Sequence, residues 1–215
     1  MIWGDASTDF ETAHEEMVER LQRRLDLSPS TVEAMRAVPR HEFVPECRHS
    51  SAYEDRPLPI GDGQTVSAPH MVATMVETLD LTDGERVLEV GTGCGYHAAV
   101  TGEAVGPDNV YSVEYSAALA ATARDRLDRL GCGDVSVRHG DGHNGWPEHA
   151  PYDAAYLTCA ASDLPDAVVE QVATGGRLLT PIGDRRQTLV FASKRSDGAL
   201  ECEECGGVRF VRMRG

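Results

Sequence analysis

The stretch Val87–Tyr96, VLEVGTGCGY, decides the fold. A short β-branched run closes on Glu89-Val90 and passes into Gly91, Gly93 and Gly95 before an apolar run of helical period begins. Strand, glycine turn and helix in that order open an α/β unit, because glycines let the backbone turn tightly and approach a ligand closely. Outward from it, β-branched runs at 110–114, 135–138 and 153–157 alternate with helical patterns near 96–105, 116–130 and 165–173. That alternation predicts a doubly wound α/β fold, a mostly parallel Rossmann-like sheet with helices on both faces. Runs at 177–182, 188–193 and 207–213 follow with turns but no helical pattern between them, as expected of C-terminal strands that finish the sheet with an antiparallel edge. Before the first strand lies a helical extension. Asp9 is placed to cap a helix carrying Phe10, Ala13, Met17, Leu21 and Leu25, Ser28-Pro29 opens a shorter one through Val38, and Ala68–Leu79 fits a third. Pro39–Gly63, with four prolines and no periodicity, reads as a functional loop or lid. A single domain is expected, with residues 1–66 forming the extension and 67–215 the ligand-binding core.

At 215 residues the chain can bury a substantial core without disulfide staples. It has no apolar run near the roughly 20 residues that cross a bilayer, and its first residues are acidic where a secretion signal is basic and then apolar. A cytoplasmic protein with no membrane partner is the expectation, and the six cysteines then read as reduced thiols. Only Cys202 and Cys205 form a CxxC; with no second pair to complete four ligands, they read as thiols at a strand end or in a hairpin, and no metal is expected. The formal charge is −15 and Lys194 is the only lysine. Such a surface disfavours nucleic acid, which is bound by supplying positive charge to phosphates. It also repels itself at low salt, a property that halophilic proteins turn to solubility in a high-salt cytoplasm.

In open α/β sheets ligands collect beyond the carboxyl ends of the strands. Here the loop is G-x-G-x-G, and Tyr96 stands where the third glycine of a dinucleotide fingerprint would be. A carboxylate at Glu89 would repel a pyrophosphate and attract a cofactor carrying a sulfonium and an ammonium, which favours S-adenosylmethionine. Glu114 closes the second strand, 19 residues beyond Gly95, about where an acid accepts hydrogen bonds from ribose hydroxyls. Gly140-Asp141-Gly142 follows the third strand, where a carboxylate can accept from an adenine amino group. Any one of these acids is more simply a solvated turn or helix cap. Three at consecutive strand ends are harder to explain that way.

Four more segments, VPRHEFVPE (38–46), AYEDRPLPIG (52–61), the run through QTVSAPHM to residue 71, and GGRLLTPIG (175–183), join the glycine loop in a combination that resembles the protein-L-isoaspartate O-methyltransferase family. The likeness runs from about Thr31 to the C-terminus. It implies methyl transfer from S-adenosylmethionine to the free α-carboxyl of isoaspartyl residues in damaged peptides and proteins; separately, a monomer is expected. Carried over by position, the active-site serine falls on Ser67. The implied cofactor contacts are Gln64, Thr65, Val66, His70, Glu89, the loop residues Gly91, Thr92, Gly93 and Gly95, then Glu114, Asp141, Gly142 and Gln187. A carboxylate is ionised at neutral pH and can attack a methyl carbon in line without a general base. What remains for the protein is alignment, which a hydroxyl such as that of Ser67 can give by holding one carboxylate oxygen. Ser67 is also placed to be an ordinary N-cap of the Ala68 helix, and His70 an ordinary first-turn residue. Where the family shows small apolar residues after the fourth strand, this chain has Leu157-Thr158-Cys159-Ala160-Ala161, a departure that bears on the substrate more than the cofactor.

Two other readings stay open: a methyltransferase for a different, dedicated carboxylate, and a non-catalytic S-adenosylmethionine-binding module that uses Pro39–Gly63 to hold a partner. A nicotinamide oxidoreductase is disfavoured by Tyr96 and Glu89. A flexible peptide substrate could pair with an exposed strand edge, for which Val208–Met213 is the candidate.

Overall fold

The computed structural model describes residues 6–215. Helix α1 (Ala6–Arg24) already includes Asp9 in its first turn, so Asp9 is not the cap the sequence pattern predicts; it sits where an acid favours the helix dipole. The predicted apolar stripe does face inward, with Met17 and Leu21 buried and Phe10, Ala13 and Leu25 packed on the core. Ser28 caps α2 (Pro29–Ala37), its side chain accepting from the Thr31 N–H.

The stretch read as a loop or lid is an anchored connection. It holds two 3-10 turns (Arg40–Phe43, Glu46–Ser51) and a two-stranded hairpin of β1 (Leu58–Gly61) and β2 (Gln64–Val66). Arg40 is fully buried in it, donating to the Ala52 carbonyl at 2.9 Å and lying 4.9 Å from the centre of the Tyr96 ring. Helix α3 (Pro69–Leu79) follows.

The main sheet takes β3 (Val87–Val90), β4 (Val110–Glu114), β5 (Ser136–His139), β6 (Tyr152–Leu157), β7 (Val172–Ile182), β8 (Gln187–Lys194) and β9 (Leu200–Val208) in the spatial order β5-β4-β3-β6-β7-β8-β9. The first five in that order run parallel, joined through α4 (Tyr96–Val105), α5 (Ala117–Arg129) and α6 (Asp166–Gln171); β8 and β9 are antiparallel. Alternate residues enter two separate cores: Val87, Ala154, Tyr156 and Leu179 on one face, and Leu88, Ala155, Leu157 and Leu178 on the other. A strand covered on both faces must be apolar throughout, which is why these segments read as unbroken β-branched runs. The chain leaves β3 in one direction and returns to its other side at β6, so the switch in strand order lies between the ends that carry Gly91 and Thr158.

The predicted last strand is displaced. β9 covers 200–208, not 207–213, and residues 202–207 are all exposed, so no inside-outside alternation marked it in the sequence. After Val208 the chain quits the edge because other partners take its backbone. Ala160 bonds to Val211 and Met213, and the Gln187 side chain to both backbone groups of Phe210. Cys202 and Cys205 are exposed on β9.

Candidate active site

Each glycine of the opening loop meets a different demand. Gly91 has φ 104° and a Cβ there would lie 2.3 Å from Thr158 Oγ1, so both the turn and the close packing exclude a side chain. Gly95, at φ 89°, occupies the N-cap of α4, and a Cβ would press on Leu127. At the end of β4, Glu114 accepts from the Gly93 N–H and the Ser116 N–H, both at 2.8 Å, which ties the loop to the neighbouring strand and points an acid at the groove between them. Gly142 opens the turn after β5, where a Cβ would come 2.3 Å from Val90 Cγ1.

These parts wall one groove. Gln64 and Thr65 from the hairpin, Gly91, Gly93, Glu114, Tyr115 and Gly142 line it, with Val90, Val113 and Met213 as apolar walls. An acid beside backbone N–H groups and apolar walls suits a nucleoside: hydroxyls to the carboxylate, a flat ring between Val113 and Met213. Across Thr65 and Thr158 the groove meets a second cleft of about 560 Å3, lined by Ser67, His70, Met71, Val208, Arg209 and Phe210. Thr65, Val66, Ser67, Thr92, His97 and Thr158 enclose the passage between them.

The site places the expected residues unevenly. Ser67 is half-buried at the junction, and the N-cap of α3 is Ala68, with no side-chain bond. The capping role is therefore not the one Ser67 plays, and its hydroxyl has no partner among the described residues. His70 faces the second cleft, its backbone N–H and Nδ1 both against Asp55 Oδ1 at 3.0 and 2.7 Å. Burial pushes the Asp55 carboxyl up, but the bonds from His70 and Arg24 outweigh it and hold it below the usual range. Asp141 caps its turn through His143 N–H at 2.9 Å and stands beside the groove.

Two expected contacts sit elsewhere. Glu89 is wholly buried beneath the loop, taking hydrogen bonds from Ser112 and, at 3.0 Å, from Tyr156, so its carboxylate lines neither cleft. Burial pushes it up to about 7 despite those bonds. The signal that placed it, an acid two residues before the glycines, marks a chain position; a central strand four residues long directs its side chain into the core. Gln187 does not reach the groove either, since both ends of its amide hold Phe210.

Sequence patterning singled out one further contributor without its role and missed two more. Thr158, the departure from the small apolar pattern, donates its hydroxyl to the Gly91 carbonyl at 2.5 Å, so its polar atom is consumed by the loop. His97 lies buried with its ring 4.4 Å from that of Tyr156, and burial drives it down to about 3, which keeps it neutral. The tail Val211–Arg214 covers the groove, with Arg214 bridging Asp62 of the hairpin at 2.7 Å and lying 5.5 Å from the Tyr115 ring.

The model of the protein-L-isoaspartate(D-aspartate) O-methyltransferase family matches residues 12–215. This chain belongs to that family. A protein-L-isoaspartate O-methyltransferase 2 of Archaeoglobus fulgidus is 51% identical over 208 residues, which is 96% of this chain and 95% of that one. The Geobacter metallireducens protein-L-isoaspartate O-methyltransferase is 47% identical over 209 residues, 96% of each. Among solved structures, one named protein-L-isoaspartate O-methyltransferase superposes with a TM-score of 0.88 at 33% identity, covering 94% of this chain and 66% of that longer one. A Plasmodium falciparum protein-L-isoaspartate O-methyltransferase in complex with S-adenosyl-L-homocysteine follows at 0.82 and 26%, covering 94% and 98%. The resemblance drawn from five short segments thus extends over nearly the whole chain, and the doubly wound sheet with its helical extension and antiparallel end is the family's fold.

Proposed function

We propose that this chain methylates the free α-carboxyl of isoaspartyl residues in peptides and proteins, with S-adenosylmethionine as donor, in the repair of damaged proteins. The observation that carries the reading is Ser67: a hydroxyl without an internal partner, at the junction of a nucleoside-shaped groove and an open, peptide-sized cleft. When bound, the cofactor supplies an electrophilic methyl group. The protein's own part is positional. Glu114, oriented by the Gly93 and Ser116 N–H groups, holds the nucleoside end, Gly142 leaves room for the ring, and Ser67 steadies one carboxylate oxygen so that the other is aligned. The reacting acid is ionised at neutral pH, so no residue has to remove a proton. Pro57 and Thr65 of the extension line the outer wall of the cleft and 67–215 form the core, in a single working unit.

The finer expectations belong here as well: a monomeric cytoplasmic protein that uses neither membrane nor nucleic acid, in a salt-rich medium. The charge of −15 with one lysine supports the last. One experiment tests the whole reading. The protein is incubated with labelled S-adenosylmethionine and paired aspartyl and isoaspartyl peptides at low and molar salt, alongside Ser67→Ala. Base-labile label is expected on the isoaspartyl peptide alone, more at high salt. Ser67→Ala should lose about 10- to 100-fold in turnover, the worth of a hydrogen bond to a charged group, with cofactor affinity little changed. Equal label on both peptides would remove the repair reading, and unchanged turnover would remove Ser67 from the chemistry.

A further inference from the structure

Positive charge is scarce on this chain, and most of it is engaged. Arg24, Arg36, Arg129, Arg138 and Arg177 each meet a carboxylate, and Arg86, Arg124 and Arg126 each donate to a backbone carbonyl. Among the described residues five arginine side chains have no partner: Arg48, Arg185, Arg186, Arg195 and Arg209. Three of those five, Arg185, Arg186 and Arg209, line a single cleft of about 780 Å3. Its one acid, Asp184, is already bridged by Arg212. Three uncompensated cations therefore face one hollow in a molecule whose overall charge is −15.

The hollow is not remote from the site. Gly207, Val208, Arg209 and Phe210 form walls of both this cleft and the one that holds Ser67. A peptide with a carboxylate at Ser67 would lay its neighbouring residues along that shared wall. The net field of the protein repels an anionic peptide, whereas a local basin of guanidinium groups draws it in and accepts carboxylates in a planar, bidentate geometry. A nucleic acid strand would find only three such contacts before meeting the acidic surface beyond.

We propose that the Arg185–Arg186–Arg209 cleft binds acidic side chains flanking the isoaspartyl residue, so that acidic segments are the preferred substrates. The proposal rests on the carboxyl methyltransferase reading and adds to it a substrate class. Three isoaspartyl peptides that differ only in two flanking residues, both Glu, both Gln or both Arg, are compared by kcat/KM and, independently of turnover, by fluorescence anisotropy of the labelled peptides. The Glu peptide should exceed the Gln peptide by about 10-fold at 0.1 M salt and by little at 1 M, where the Debye length has shrunk from about 10 Å to about 3 Å. In R185Q/R186Q the Glu to Gln ratio should fall toward one, a comparison made within each protein and so insensitive to loss of folded material. A ratio near one in the unaltered protein, or one unchanged in the variant, would overturn the proposal. Inhibition by a single-stranded oligonucleotide as strong as that by the Glu peptide would assign the cleft to phosphates and overturn it too. Absence of turnover with the binding preference intact would count against the parent reading alone.

Discussion

The two ends of the site are built to opposite rules. Around the β3–α4 turn the acids and the threonine are tied down inside the fold: Glu89 by Ser112 and Tyr156, Glu114 by two backbone N–H groups, Thr158 by the Gly91 carbonyl. Around the Gly183–Arg186 turn and the residues after Val208, side chains are exposed or half-buried, and the tail is held by Gln187, by Ala160 and by ion pairs to Asp62 and Asp184. A groove that receives the same small molecule at every turnover gains from preorganisation, since a rigid wall loses no freedom on binding. A cleft that must accept many peptide sequences gains from a loosely held rim and from charge, which acts without shape.

Substitutions on each side should break this contrast differently. The largest effect is expected from Gly91→Ala. Its Cβ would overlap Thr158 Oγ1 and its backbone lies at φ 104°, so cofactor binding measured by calorimetry should weaken by about 100-fold or more. Retention of normal affinity would show that the loop is not the rigid element described. On the other side, Gln187→Leu orphans both backbone groups of Phe210 and should loosen the tail over the groove. A rise of about 5- to 10-fold in the cofactor's apparent Kd is expected, from one or two lost hydrogen bonds, with the melting midpoint barely moved. Equal losses of stability and affinity would place the tail with the rigid half instead.

The smallest effect sharpens the buried half. Burial raises Glu89 from 4.5 to about 7, so the folded state holds its proton more tightly than the unfolded one. Stability contributed by this group is therefore greatest below pH 4.5 and declines as pH rises through 7, the reverse of an ordinary paired carboxylate. Denaturant unfolding between those limits should show that decline, and Glu89→Gln should flatten it. An unaltered slope in the variant would assign the dependence to other groups.

Much of this could be read before any coordinates. The run VLEVGTGCGY located the switch point because a strand buried on both faces must be apolar and its exit must be glycine-rich, both local demands. The regions lacking such a signal went astray for physical reasons. Strand β9 is exposed along nearly its whole length, so its residues carry no alternation. Asp9 can cap or merely begin a helix, and only the backbone before it decides. Ser67 has the side chain of a cap, but the helix begins one residue later, with Ala68 at the N-cap and no side-chain bond, and only the backbone decides that.

What the sequence alone determined is the order of strands and helices from β3 to β8, the family and the positions where a ligand must approach closely, since each depends on residues adjacent in the chain. Tertiary structure decided what those residues touch. Glu89 and Gln187 had the positions of cofactor contacts, yet one is turned into the core by its strand and the other toward the tail by Phe210. The adjacent Arg185 and Arg186 and the distant Arg209, more than 20 positions on across the β8–β9 hairpin, become one charged hollow because antiparallel pairing sets Gln187 beside Val208. Contacts between residues distant in the chain come from packing, and no local pattern encodes them.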